Sequence, residues 1–242
     1  MFGWGLALLG IALFTRLGYW QLARMHEKQA LLDAAHAVLV TRDARPLSIA
    51  ADPQRARSYD WTSADGRFVE APAILLDNQE REGRVGARAY RVFHSADAAV
   101  APVLVELGWL PVPGDRRMPA VPRIEGALHV AGLLAPPPSA GLARAVATPQ
   151  ADGSLLTITV DVPLLRRALH LPTLAPRVLK LDPAMPIGYP RDLDILPNTL
   201  PPERHLGYAV QWFGLALTVL VTALVLTFRK PRQHKSEPNT TP

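Results

Sequence analysis

From residue 206 to residue 228 the chain contains no Asp, Glu, Lys or Arg. As an α-helix rising ~1.5 Å per residue, this run reaches ~35 Å, enough to cross the ~30 Å hydrocarbon core of a bilayer. A soluble helix of that length would carry a polar stripe. Residues 205–228 are therefore expected to span a membrane. A second apolar run, residues 2–14, is short for a span. Extended through Arg16 to Trp20 it suffices, with Arg16 able to snorkel and Tyr19 and Trp20 in the interfacial aromatic belt. It has neither a basic n-region nor a small-residue cleavage site, so an uncleaved anchor over 1–20 is expected rather than a signal peptide.

Flanking charge sets the orientation. Arg229, Lys230, Arg232 and Lys235 follow the second run, and positive residues favour the cytoplasmic side. Two spans return the chain to the side it started from. Both termini are thus expected in the cytoplasm, with the central region in the periplasm. Arg24 and Lys28 oppose this, but Glu27 and Asp33 offset them. The expected location is the inner (plasma) membrane, as a multi-pass protein in contact with the lipid bilayer.

Between the spans, residues 21–39 keep a helical rhythm and extend the first helix outward. Residues 40–182 read as mainly β. Strands are expected at 67–76, closed by an Asp77-Asn78 turn, and at 90–93, 103–110, 124–134, 155–160 and 178–181, with a turn at 83–86. A short helix is expected at 163–169, with Asp161 as its cap. The 24 prolines exclude a bundle of long helices here, because proline breaks helix interiors. Several short strands divided by Pro/Gly turns indicate a small barrel or sandwich. Residues 183–204 form a proline-rich linker, and 229–242 a basic, then polar, tail. The fold class is a membrane protein: two transmembrane α-helices flanking a mainly β extracytoplasmic domain.

The chemistry that such a chain can perform is narrowed by what it lacks. It has no cysteine, so disulfides and thiolate metal sites are excluded. Its net charge of +5 comes without a long basic tract or a zinc-finger pattern, so no nucleic-acid partner is expected. There is no G-x-S-x-G, H-E-x-x-H, P-loop or G-x-G-x-x-G. Asp65, Glu70, Asp77 and Glu106 are spread over separate strands and turns and read as surface or turn residues. Ser63, Ser95, Ser139 and Ser154 fall in loop-like contexts with no base beside them. No catalytic residue is expected, and the chain does not read as an enzyme.

His205 is the exception among the seven histidines; the others read as structural or solvated. It opens the second span. At ~100° per residue, His205, Ala209, Trp212 and Ala216 share one helix face, with Tyr208 at its edge. The small alanines beside Trp212 leave room for a flat macrocycle with the imidazole as axial ligand. Gly207, Gln211 and Gly214 fall opposite, a small face suited to close helix approach against Gly3, Gly5, Ala7 and Gly10. From the residues alone, two roles stay open for His205: a metal or haem ligand, or a polar anchor at the interface.

Four segments resemble a known family. Leu17-Gly18-Tyr19-Trp20-Gln21-Leu22-Ala23-Arg24 with Lys28 resembles L-G-x-W-Q-x-x-R-x-x-K. Gly66-Arg67-Phe68 through Leu75-Leu76-Asp77-Asn78, with Gly83 and Gly86, is similar to a G-x-F and turn region. Val103 to Pro111, V-L-V-E-L-G-W-L-P, resembles V-L-V-N-R-G-W-V-P. His205 to Phe213, H-L-G-Y-A-V-Q-W-F, resembles H-x-x-Y-A-x-x-W-F. In order and spacing these resemble the Surfeit-locus assembly factors of cytochrome c oxidase. The chain departs at Glu106-Leu107, where the family has Asn-Arg, and at Glu203-Arg204, where Asn-Asn is frequent.

The resemblance implies an assembly role rather than catalysis: binding haem a and assisting its insertion into oxidase subunit I. The implied partners are subunit I and the haem a synthesis machinery. It also makes His205 the expected axial ligand of the haem iron. The expected haem-contacting set is His205, Tyr208, Trp212, Arg204, Arg24 and Trp20, with Arg204, Arg24 and Arg16 as candidate propionate partners. The alternative is a membrane scaffold that gathers oxidase subunits without binding haem, in which Trp109 and the β domain would matter more than His205.

Overall fold

A computed structural model describes residues 2–138, 145–195 and 200–229. Lys230, Arg232, His234, Lys235, Ser139 and the polar tail lie outside the described residues. The described chain divides into two units. One contains residues up to Gln29 together with those from Leu200; the other is Ala30–Thr199.

The first unit is built from two helices. Helix α1 (Phe2–Thr41) is 40 residues long, ~60 Å at the α-helical rise, and it passes without a break from the apolar run into the polar extension. Its residues beyond Gln29 belong to the second unit. The C-terminal helix, Pro202–Phe228, has 27 residues. Both are long and apolar enough to cross a membrane. They run antiparallel, because partners rise in number along one helix as they fall along the other. Trp4 Nε1 donates to Thr227 Oγ1 at 2.9 Å. Gly10 faces Val219, Gly18 and Tyr19 face Phe213, and Phe14 stacks on Trp212. A Cβ at Gly18 would lie 2.6 Å from the Phe213 ring, so the helices approach closely there. Thr218, Thr222 and Thr227 donate their hydroxyls to carbonyls one turn back, which pairs these three hydroxyl protons on an apolar surface.

The second unit is a mixed nine-stranded sheet. In chain order it comprises β1 (Ala44–Arg45), β2 (Asp60–Phe68), β3 (Ile74–Arg81), β4 (Arg84–Ser95), β5 (Val103–Pro111), β6 (Leu128–Ala135), β7 (Ala147–Pro149), β8 (Leu155–Thr157), helix α2 (Val162–Ala168) and β9 (Val178–Leu181). The C-terminal helix is α3. Neighbours run β1-β2-β6-β9-β5-β4-β3-β8-β7. The end of β2 also pairs with the end of β4, Gly66 opposite Ser95 and Phe68 opposite Phe93. Strands β2, β6, β9, β5 and β4 therefore close a ring, the pairing of a small barrel, and β3, β8 and β7 continue from the other half of β4.

Alternation along the strands gives the sheet two apolar faces. Phe68, Phe93, Val103, Val105, Leu107, Val130, Leu134 and Leu179 share one core. Ile74, Leu76, Tyr90, Val92, Leu104 and Val178 form the other, closed by Val162, Leu165 and Leu169 of and just after α2. Asp161 caps α2 by accepting from the Leu164 amide at 2.8 Å, as expected.

Several strand limits differ from the sequence reading. The single strand expected at 67–76 is the end of β2 and the start of β3. Asp77-Asn78 does not end a strand; it is an irregularity between Leu76 and Gln79, with Asn78 at φ 63°, after which pairing resumes. The turn is Glu82-Gly83, where both residues have positive φ, as a two-residue type I′ hairpin requires. Ser63 and Ser95 are strand residues, not loop residues. The stretch expected at 90–93 is the middle of twelve-residue β4.

Gly108 marks a bulge in β5. Its φ is 127°, and a Cβ there would meet the Tyr189 carbonyl oxygen at 2.5 Å. The 189–190 segment crosses at this point: Tyr189 N–H donates to Leu107 O at 2.8 Å, and Trp109 N–H donates to Pro190 O at 2.9 Å. Gly108→Ala is therefore expected to destabilise the β domain by about 1–3 kcal/mol through backbone strain alone. Chemical denaturation of the full chain in detergent measures this; an unchanged midpoint would show that the crossing segment yields.

Candidate functional site

The first turn of α3 carries the site. Pro201 caps the helix in an extended conformation, and Pro202 occupies the first turn, where its missing N–H costs nothing. Glu203 sits in the same turn, against the positive end of the helix dipole. His205 follows and is partly buried. Its Nδ1 lies 2.8 Å from Oε1 of Gln21 on α1. Among the described residues, Nε2 has no hydrogen-bond partner.

The other expected site residues are less gathered. Tyr208 is 40 % exposed and Trp20 52 % exposed. Arg204 is exposed. The Arg24 guanidinium lies 6.0 Å from the centre of the Trp20 ring and donates to Glu27 Oε2 at 2.8 Å. Trp212 is stacked on Phe14, centroids 5.7 Å apart and planes at 26°.

This corrects the assignment of the helix faces. The face of His205, Ala209, Trp212 and Ala216 does not stand open for a macrocycle; it meets α1, and Ala209 and Ala216 are buried. The face of Gly207 and Gly214 is the open one, with nothing within 4 Å of a Cβ at either position. Gly3 and Gly5 are likewise open, and Gly18 forms the close approach. The reason is geometric. Alanines flanking a large Trp make a knob-and-hole surface on which Phe14 packs, whereas glycines alone offer fewer atoms for contact.

Gln21, within the first family-like segment, is a contact residue of His205 that the sequence pattern does not assign. Its signal was its place: an uncharged amide just beyond the apolar part of α1, at the level that antiparallel packing sets against the first turn of α3.

Among the described residues, the β domain holds two buried carboxylates. Glu106, 2 % exposed, accepts from Arg88 Nη1 at 2.5 Å, Lys180 Nζ at 3.1 Å and Tyr90 Oη at 3.0 Å. Its expected surface or turn role is thus overturned: cations on the neighbouring strands β4 and β9 allow it to be buried. Burial opposes its ionisation, but Lys180 and Arg88 outweigh burial and hold its carboxyl below the usual range. Asp60 sits between Arg55 and Arg177, with Arg177 Nη1 at 2.8 Å. Burial again opposes ionisation, and the hydrogen bonds from both arginines prevail. A general acid or base should titrate near the working pH; both groups are held away from it. Among the described residues, no three His, Asp or Glu side chains gather as a metal site.

Trp109 is framework. It is buried, its Nε1 donates to Gln79 O at 3.1 Å, and Arg84 lies over its ring.

Comparison with family models gives the decisive observation: the SURF1 family model matches residues 8–217. The chain belongs to the SURF1 family. The match takes in Trp20, Gln21 and Arg24 on α1, the whole sheet, and His205, Tyr208 and Trp212 on α3. The SURF1 family is associated with oxidase assembly and is not a family of known enzymes. No curated protein matches the chain.

Proposed function

We propose that this chain is a membrane-anchored assembly factor of haem–copper cytochrome c oxidase that binds haem a through His205 and assists its insertion into subunit I. The observation that carries the reading is the state of the His205 imidazole. One nitrogen is engaged by α1, and the other has no hydrogen-bond partner among the described residues, at the mouth of an apolar helix within the family-matched region. Haem a is cargo, and a single axial donor suits cargo that must later leave. Exposed Tyr208 and Trp20 flank the site as apolar contact surface, and Arg204 is an available cation for a propionate. Arg24 can serve there only by sharing its charge with Glu27. Trp212 acts from beneath, by fixing α3 on α1 through Phe14.

Both α1 and α3 are read as transmembrane helices of the inner membrane, with both termini cytoplasmic and the β domain periplasmic. This follows from their apolar length and from the basic residues after α3, of which Arg229 is described. Subunit I is a membrane protein, and haem a partitions into lipid, so a donor at the outer edge of a spanning helix meets both.

The test is the absorption spectrum of the full chain, purified after co-expression with haem a synthesis. The wild type should carry haem a, and His205→Ala should retain less than about a tenth of it. A haem-free wild type, or equal haem in His205→Ala, overturns the reading and favours the scaffold alternative.

A further inference from the structure

We infer that Gln21 is the positioning residue for His205: it holds the imidazole with its proton on Nδ1, so that Nε2 presents a lone pair. The inference rests on the haem reading above, but its core, the location of one proton, stands or falls without haem. A carbonyl oxygen only accepts hydrogen bonds. With Gln21 Oε1 at 2.8 Å from Nδ1, the hydrogen must sit on Nδ1, and a neutral ring has only one to place. Free histidine in water prefers its proton on Nε2, the arrangement that cannot ligate a metal through that atom. The contact with α1 therefore reverses the default tautomer.

The surrounding packing makes this more than a passing contact. Gly18 lies three residues before Gln21, and its lack of a side chain lets α1 approach Phe213. Tyr19 packs edge-on against the same Phe213 ring, centroids 5.4 Å apart. Further along, Phe14 on Trp212 fixes the register. These contacts hold the Gln21 backbone at the level of His205. Ligating histidines commonly donate their second N–H to a carbonyl or carboxylate, and loss of that partner weakens metal binding 10–100-fold. Gln21 would supply that acceptor before any ligand arrives.

Three variants of the full chain in detergent test it: Gln21→Met, which keeps the length but removes the acceptor; Gln21→Glu, which can only accept; and His205→Ala. In the haem-free protein, ¹⁵N NMR of labelled histidine, with the His205 signals identified by their loss in His205→Ala, should show Nδ1–H in the wild type and in Gln21→Glu. Gln21→Met should shift the ring toward Nε2–H. Titration with ferric haem b should give about 10–100-fold weaker binding in Gln21→Met and near wild-type binding in Gln21→Glu. Gln21→Glu should also lower the reduction potential, because a carboxylate acceptor makes the imidazole a stronger donor. An Nε2–H wild type, or a tautomer indifferent to Gln21→Met, overturns the inference, as would haem binding that fails in His205→Ala yet is unchanged in Gln21→Met. Equal binding by wild type and His205→Ala instead overturns the haem reading itself.

Discussion

Glu106→Ala is expected to cost the β domain about 3–5 kcal/mol, the penalty for removing one partner of a buried ion pair. The size comes from what the substitution leaves behind. Arg88 and Lys180 are 5 % and 6 % exposed and reach Glu106 from the strands on either side. Without the carboxylate, two cations share a site that excludes water, and the Tyr90 hydroxyl loses its acceptor. Burial raises the pKa of that hydroxyl and opposes its ionising to replace the lost anion. Chemical denaturation of the full chain in detergent, followed by amide exchange of β5, measures the loss. Glu70→Ala is the matched control. Its ion pair with Arg123, at 3.3 Å, joins two exposed side chains, and such pairs contribute about 0–1 kcal/mol. Equal effects in the two variants would mean that water reaches the Glu106 cluster.

The same cluster shows why β4 was underread from the sequence. Elements with local signals are legible: 103–110 from its apolar run closed by a Pro/Gly turn, 178–181, and α2 from its Asp161 cap. In β4 the apolar pattern is interrupted by Arg84, Arg88 and Arg91, which argues for a turn or a surface segment. Two of these arginines are buried because their partners lie far along the chain. Arg88 meets Glu106. Arg91 donates to the carbonyls of Ala71, Val121 and Pro122 at 3.2, 2.7 and 3.1 Å. No local window contains those partners. Asn78 misled in the opposite sense: a left-handed residue after Asp signals a turn, but the strand absorbs it as an irregularity and continues.

For the candidate site, His205 was legible and its environment was not. A histidine opening an uncharged helix stands out in any reading. Its partner Gln21 is 184 residues away, and small residues lie on both faces of α3, so small size alone does not pick the face that meets α1; the atoms Trp212 offers for contact do. Helical phase grouped His205, Ala209, Trp212 and Ala216 correctly but assigned the group to a ligand instead of a helix. That outcome moves the proposed haem contact outward, to His205 with exposed Tyr208 and Trp20. It also gives Trp212 a role in register.

Acid should destabilise the β domain below the ordinary carboxylate range, and Glu106 and Asp60 should account for much of the slope. Both carboxyls are held lower in the folded chain than in the unfolded one. In the unfolded chain they take up protons near pH 4, while the folded chain resists. The stabilisation is thus complete above that pH and is lost as pH falls toward the folded-state values. Each proton taken up preferentially by the unfolded chain contributes up to about 1.4 kcal/mol per pH unit, so two groups give up to about 2.7 kcal/mol per unit where both titrate. Asp60→Asn should flatten the slope and lower stability at neutral pH, because Arg177, fully buried, would face a neutral amide. Denaturation midpoints between pH 3 and pH 7 for wild type and Asp60→Asn decide the matter. An identical slope in both would show that the Arg55–Asp60–Arg177 cluster opens before it titrates.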